Sequence, residues 1–246
     1  MTAAEGPPAR RFDAEVVSVA AATADIAIVR LAPVEAPPLA FRAGQFCRLG
    51  FGDLPLRDYS MANAPADPVL AFHIRHTGGD GASAYVAKRL RVGERVRVAG
   101  PFGAAYLRPG GRRRLLAVAG SSGLAPIASI VETALAEAPA RSIALYFGAR
   151  TPADLYLETH FRALAARHPG LRYRPVIACA EGAVGHRVGL VSAVAAAELT
   201  EADAIEAHVA GPPAMVAATV AALGARGVPA ARIHADAFVP DGVPSA

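Results

Sequence analysis

Leu115-Leu116-Ala117-Val118-Ala119-Gly120-Ser121-Ser122-Gly123-Leu124-Ala125-Pro126 is an apolar run that breaks at a glycine–serine turn and resumes with helical spacing. An unbroken apolar run of this length reads as a strand covered on both faces, as in a parallel sheet. Proline early in the following helix is structurally ordinary. The glycines allow a tight turn and let a phosphate approach the backbone N–H groups at the helix start, and the serine hydroxyls add donors. The GxGxxG fingerprint is absent, however, and no acidic residue follows about 20 positions on to hold a ribose. Tight strand-to-helix packing explains the turn as well as a ligand does.

The same grammar continues toward the C-terminus. Strands are expected at 143–147, 173–178, 207–210 and 232–235, and helices at 124–138, 153–167, 191–199 and 215–226. Strands alternating with helices imply a doubly wound parallel sheet, with ligands at the carboxyl ends of its strands. A second glycine turn, Gly211-Pro212-Pro213, follows the strand that ends at Ala210, and two such turns in one sheet are more informative than one.

Toward the N-terminus the pattern differs. Short runs at 15–20, 26–31, 45–51, 69–76 and 95–99 are separated by Pro, Gly and Asp. Several alternate with period two, as in Arg95-Val96-Arg97-Val98, which suits an antiparallel barrel or sandwich interrupted by a helix at 83–90. The change falls at 108–114, so two domains are expected, 1–110 and 111–246. In the first, Arg57-Asp58-Tyr59-Ser60 places a guanidinium, an aromatic face and a hydroxyl within four residues; on a strand, Arg57 and Tyr59 share a face. The stretch Thr77-Gly78-Gly79-Asp80-Gly81-Ala82-Ser83 opens the helix, and it reads either as a pyrophosphate loop or as a hairpin with a cap.

Composition bounds the rest. The chain has 246 residues, 53% hydrophobic and 19% charged, which is globular and outside the disordered range. Apolar stretches such as 193–197 are far shorter than the roughly 20 residues of a membrane span. Residues 1–11 show no apolar core of a signal peptide, so a cytoplasmic location is expected and no membrane association. Two cysteines, Cys47 and Cys179, cannot supply the four thiolates of a plant-type 2Fe–2S cluster. The seven histidines are scattered without zinc spacing, so no metal site is expected. The net charge of +4 is carried by arginine, Lys88 being the only lysine. The run Arg112-Arg113-Arg114 is either a solvated turn or a docking patch for an acidic protein. Nucleic acid is not expected, since no aromatic residues interleave with the charges.

Taken in order, these motifs resemble the flavin and nicotinamide domains of the ferredoxin–NADP reductase family, especially the reductase components of bacterial multicomponent oxygenases. The resemblance runs over nearly the full length. It implies an antiparallel flavin-binding β-barrel followed by a doubly wound, NAD(P)-binding α/β sheet. By that resemblance Arg57 pairs with the flavin phosphate, Tyr59 packs on the isoalloxazine, and Ser60 hydrogen-bonds near its N5. His73, Ile74 and Arg75 match the strand lining the flavin, and Gly81, Ala82 and Ser83 its pyrophosphate loop. Gly100-Pro101-Phe102-Gly103 matches the strand end that closes the barrel. Gly120, Ser121, Ser122 and Gly123 match the nicotinamide-domain turn, with the two serines replacing the commoner Gly-Thr. Arg150 lies in the segment near the adenosine ribose, and Gly211, Pro212 and Met215 in the turn beneath the nicotinamide. Phe238, after the last strand, either reaches the flavin or packs the sheet edge.

Two features depart from the family. Where it commonly has a cysteine before the Gly-Pro-Pro turn, this chain has Ala210, and the iron–sulfur domain that many oxygenase reductases carry is not expected here, two cysteines being too few for its cluster. The expected activity is therefore electron transfer from NADH or NADPH through FAD (in preference to FMN) to a separate ferredoxin or oxygenase component. Reduction of free flavin, and a noncatalytic binding protein that keeps the fold, are the alternatives.

Overall fold

In the computed structural model, which describes residues 7–76, 78–182 and 184–238, period-two alternation becomes strand through the first half of the chain. The elements are β1 Arg10–Ala21, β2 Ile26–Pro33, β3 Phe46–Phe51, β4 Arg57–Ser60, β5 Leu70–Arg75, α1 Ala82–Lys88 and β6 Arg95–Phe102. Val96 and Val98 of β6 point inward, Arg95 and Arg97 outward. The six strands form one antiparallel sheet in the order β4-β3-β6-β1-β2-β5. Its ends curl toward each other: Met61 bridges Phe72, and the Ala62 N–H donates to the Ala71 carbonyl at 2.7 Å. The sheet is thus a nearly closed barrel, with Val16, Val29, Leu49, Phe51, Phe72 and Val98 filling it. Cys47 lies in this core, where burial pushes its thiol up to about 12.

The second half comprises β7 Arg114–Gly120, α2 Leu124–Glu137, β8 Ile143–Ala149, α3 Glu158–Arg167, β9 Leu171–Ile177, β10 Arg187–Val188, α4 Val191–Ala197, β11 Ile205–Gly211, α5 Pro213–Ala225 and β12 Ile233–Ala237. The sheet is parallel, ordered β10-β9-β8-β7-β11-β12. Leu115, Ala117 and Ala119 pack under α2 on one face, while Leu116 and Val118 pack on the other with α4 and α5 residues. The unbroken apolar run of β7 follows from burial on both sides. Among the described residues, no helix is long and apolar enough to cross a membrane.

One expected helix is shorter than its pattern. Instead of 153–167, a 3-10 turn at Pro152–Asp154 is followed by a break, and α3 begins at Glu158. Thr151 and Asp154 close a capping box that satisfies the turn locally, and Leu157 sits at φ 56, the left-handed region that interrupts a helix. The break lies where Tyr156 is buried against the barrel.

A continuous apolar seam joins the two sheets. Ile26, Ala43 and Leu107 belong to the same cluster as Ile127, Ile130 and Val131 of α2. Burial of each large aliphatic chain stabilises by roughly 2 kcal/mol. The buried Ser129 hydroxyl donates to the Asn63 carbonyl at 2.7 Å across this seam.

Candidate functional site

From β7 the chain winds outward through β8 and β9, then returns to place β11 on the other side of β7. The carboxyl ends of β7 and β11 are therefore the switch point, where a doubly wound sheet leaves a crevice for a ligand. Both glycine turns read from the sequence lie there, packed against each other. A Cβ on Gly123 would meet the Ala210 carbonyl oxygen at 2.2 Å, and Gly211 has φ +144 with its own Cβ position 2.7 Å from the Gly120 carbonyl. These two positions need glycine for space and for backbone conformation respectively. Ser121 holds φ 54, a left-handed value that glycine meets more easily.

A cavity of about 460 Å³ opens at this point. Its floor is Gly120, Ser121, Gly148, Pro212 and Met215 at the strand ends, and Arg150 stands at its side. Asp25, Ile26 and Arg75 of the barrel form the facing wall. Arg75 and Asp25 pair at 2.7 Å, and although burial alone would raise the Asp25 carboxyl, its bonds to Arg75 and Thr23 hold it below the usual range. Arg150 is largely exposed and lies 3.9 Å from Asp154. Ser122 and Gly123 shape the turn without lining the cavity, and Gly211 likewise sets the backbone beneath Pro212 and Met215.

On the barrel, the motif residues gather where β4 approaches β5. Arg57 is exposed, Tyr59 half-buried and Ser60 buried. Tyr59 meets Phe51 edge-on at 6.2 Å, and Phe51 stacks on Tyr85 of α1 at the same separation. That chain of rings ties β4 to the helix opened by Gly81, Ala82 and Ser83. No side chain caps this helix, so its N–H groups are not satisfied by a capping residue. Thr77, at the start of that loop, lies outside the described residues. Along β5 the side chains alternate: Ile74 points into the barrel core, while His73 and Arg75 face the parallel sheet.

Comparison with known proteins gives this geometry a family. Residues 117–221 match the oxidoreductase NAD-binding domain. The ferredoxin–NAD(P)(+) reductase component of the naphthalene 1,2-dioxygenase/salicylate 5-hydroxylase systems of Ralstonia sp. is 40% identical over 236 residues, covering 96% of this chain and 71% of that one. The corresponding component from Pseudomonas putida is 38% identical with the same coverage. The chain belongs to the ferredoxin–NAD(P) reductase family. Among solved structures, the Amycolatopsis reductase GcoB superposes with a TM-score of 0.89 at 36% identity, over 95% of this chain and 71% of that chain. The ferredoxin reductase in carbazole 1,9a-dioxygenase superposes at 0.85 and 32% identity, over 95% and 70%.

Within this reductase fold, side chains that sequence reasoning did not single out connect the two halves. The Tyr156 hydroxyl donates to the Ser121 carbonyl at 3.2 Å, so its remaining bond, 3.0 Å to His73 Nδ1, is one in which the imidazole N–H donates. Burial lowers His73 to about 3 and pushes Tyr156 well up, so both groups stay neutral. Tyr156 thereby links β5 of the barrel to the glycine–serine turn after β7, at sequence separations no local pattern reveals.

Asp236 is the other. The sequence points instead to Phe238, which follows β12 and whose N–H donates to the Gly211 carbonyl at 2.9 Å. The side chain that reaches the barrel is Asp236, whose carboxylate accepts from the Ser60 hydroxyl at 3.4 Å. Burial, helped by nearby Asp58 and opposed by Ser60, pushes its carboxyl up to about 6. The folded protein therefore binds this proton more tightly than the unfolded chain, whose carboxyl titrates near 4. Stability contributed by the group is gained as pH falls through 6 and lost as it rises. Asp236→Asn should thus be more stable than the parent at pH 7.5, by up to about 3 kcal/mol, with the difference closing as pH falls from 6 to 4; denaturant unfolding at pH 7.5 and pH 4 measures it.

Proposed function

We propose that this chain is an NAD(P)H-dependent flavoprotein reductase that draws electrons from a nicotinamide through bound FAD and passes them to a separate ferredoxin or oxygenase component. The observation that carries this reading is the convergence at one seam: the switch-point cavity of the parallel sheet is walled on its far side by Asp25, Ile26 and Arg75, and β5, which carries Arg75, runs beside β4 with its Arg57-Asp58-Tyr59-Ser60 motif. In this reading residues 1–110 are the flavin domain and 111–246 the nicotinamide domain.

The residues present fit a flavin. An exposed guanidinium, a half-buried phenol and a buried hydroxyl follow one another on a barrel-closing strand, beside a helix start whose N–H groups lack a side-chain cap. Arg57 and the Gly81, Ala82 and Ser83 backbone would hold the phosphates. Tyr59 would pack against the ring, and Ser60, on the opposite face of β4, would hydrogen-bond to its edge. His73, Ile74 and Arg75 would line it chiefly through their backbone, since the His73 and Arg75 side chains are already paired. When bound, FAD would accept a hydride and release electrons one at a time.

Gly120, Ser121, Ser122 and Gly123 would shape the cradle for the reduced dinucleotide, with Gly211, Pro212 and Met215 beneath its nicotinamide. Phe238, tethered by its N–H to Gly211, would close that side. The protein's contribution is positioning and exclusion of water, and no side chain is assigned as general acid or base. Arg150 would lie near the adenosine ribose. Its neighbour Asp154 already partners that guanidinium and would repel a 2′-phosphate, which favours NADH over NADPH. Arg112 and Arg113 are exposed and would suit an acidic acceptor protein.

Anaerobic titration of the purified protein with each donor tests the reading. One equivalent of NADH should bleach the bound flavin, and adding a candidate ferredoxin should restore its colour. If neither donor bleaches it, the assignment fails.

A further inference from the structure

We propose that Glu206, His208 and His234 form a binding site for one divalent metal ion of the zinc class. Glu206 and His208 are two residues apart on β11 and share a face, and His208 stands directly opposite His234 in the parallel register with β12. Sheet topology thus assembles what the scattered histidines of the sequence did not announce.

The donor atoms have the spacing a small ion needs. Glu206 Oε1 lies 3.2 Å from His234 Nε2 and 3.9 Å from His208 Nε2, and all three ligand atoms fall within 4.8 Å of one another. Ligands at about 2.0–2.1 Å in tetrahedral geometry stand roughly 3.3–3.5 Å apart, so modest side-chain rotation suffices. Two neutral imidazoles and one carboxylate form a zinc-type set with one coordination position left for water.

His208 makes the stronger case. Its side chain is 1% exposed; the Ala105 backbone approaches the ring without good hydrogen-bond geometry, and neither ring nitrogen is otherwise partnered. A buried imidazole with both nitrogens unsatisfied is rare in a finished network. In its neutral form the imidazole offers a lone pair for coordination. Glu206, whose Oε1 faces both rings, supplies the charge.

An outer layer is also present. The Arg141 guanidinium stands 3.6 Å from Glu206 Oε2, the oxygen not turned to the histidines, and its Nε donates to the Arg113 carbonyl at 2.9 Å. Such partners orient a ligating carboxylate. The chain at Gly111 crosses directly above, where a Cβ would lie 3.3 Å from Glu206 Oε2. A bound ion would clamp edge strand β12 to β11 two residues before Asp236, which reaches Ser60.

The test uses the flavin-loaded protein in a Cys179→Ser background, because that exposed thiol is a rival ligand. After chelator treatment and dialysis, cobalt(II) titration should show one equivalent bound, with tetrahedral d–d absorption beyond the flavin bands that zinc abolishes. His234→Gln, a partly exposed site, and Glu206→Gln should each weaken binding more than about 100-fold, given that outer partners alone are worth 10–100-fold. Zinc at a hundredfold excess over its dissociation constant should raise the Tm by roughly 5–10 °C in the parent and not in His234→Gln. Circular dichroism and retained flavin absorbance establish that the variants are folded. Failure of the folded parent to bind either ion, or equal binding by the parent and both variants, overturns the site and leaves a hydrogen-bonded cluster.

Discussion

Gly123→Ala should destabilise the protein by at least about 3 kcal/mol and abolish productive NADH binding. The added methyl would lie 2.2 Å from the Ala210 carbonyl oxygen, 2.4 Å from its carbon and 2.6 Å from the Gly211 Cα. All three are backbone atoms of a central strand, so no side chain can swing aside. Relief requires α2 and β11 to separate, which loosens packing beneath both glycine turns. Overpacking in a well-filled core costs about 1–3 kcal/mol, and an immovable backbone puts this site at or above the top of that range. The contrasting change is Gly224→Ala in α5, where nothing lies within 4 Å of the new Cβ. There, removing helical glycine should stabilise by about 0.5–1 kcal/mol. Denaturant midpoints for the two variants, with NADH titration of Gly123→Ala, separate the effects. Parent-like stability in Gly123→Ala would mean the two turns are not in contact.

Arg57→Ala should weaken flavin binding about 10- to 100-fold, so that gel filtration yields largely colourless protein. A charge-assisted bond between guanidinium and phosphate is worth about 1.5–3 kcal/mol, and no other arginine of β4 can replace it. The fold should survive, because Arg57 is exposed and lies outside the barrel core. Arg48→Ala on the adjoining strand removes a surface ion pair with Asp58, 3.1 Å long and half-exposed on both sides, and should leave flavin occupancy unchanged. Measured flavin-to-protein ratios decide between the two. Full occupancy in Arg57→Ala would remove that residue from the phosphate site.

The sequence made the architecture legible where a local period carried it. The alternation of Val96 and Val98 with Arg95 and Arg97 is visible without any partner, and so is the unbroken apolar run of β7. The short strand β4 was legible only through its motif, since four residues are too few to show a period. The onset of α3 was misplaced because Leu157 has good helical character but is held at φ 56 by its surroundings. The links across the seam were illegible for a different reason. Tyr156 meets His73 and Asp236 meets Ser60 over separations of 83 and 176 residues, and nothing local encodes such a meeting. The histidine cluster depended on strand register, which fixes which residues stand opposite each other only after the sheet has formed.

The apolar seam also bears on how such a chain can be assembled from parts. Helix α2 belongs by order to the nicotinamide half, yet Ile127, Ile130 and Val131 share a cluster with Ile26, Ala43 and Leu107 of the barrel half. An exchange of halves between two relatives, cut at the linker, would bring together surfaces shaped for different partners. Recombination among these reductases therefore has a natural unit larger than either half: the barrel travels with the helix that seals it, and inheritance of the two sheets is coupled through one row of aliphatic side chains.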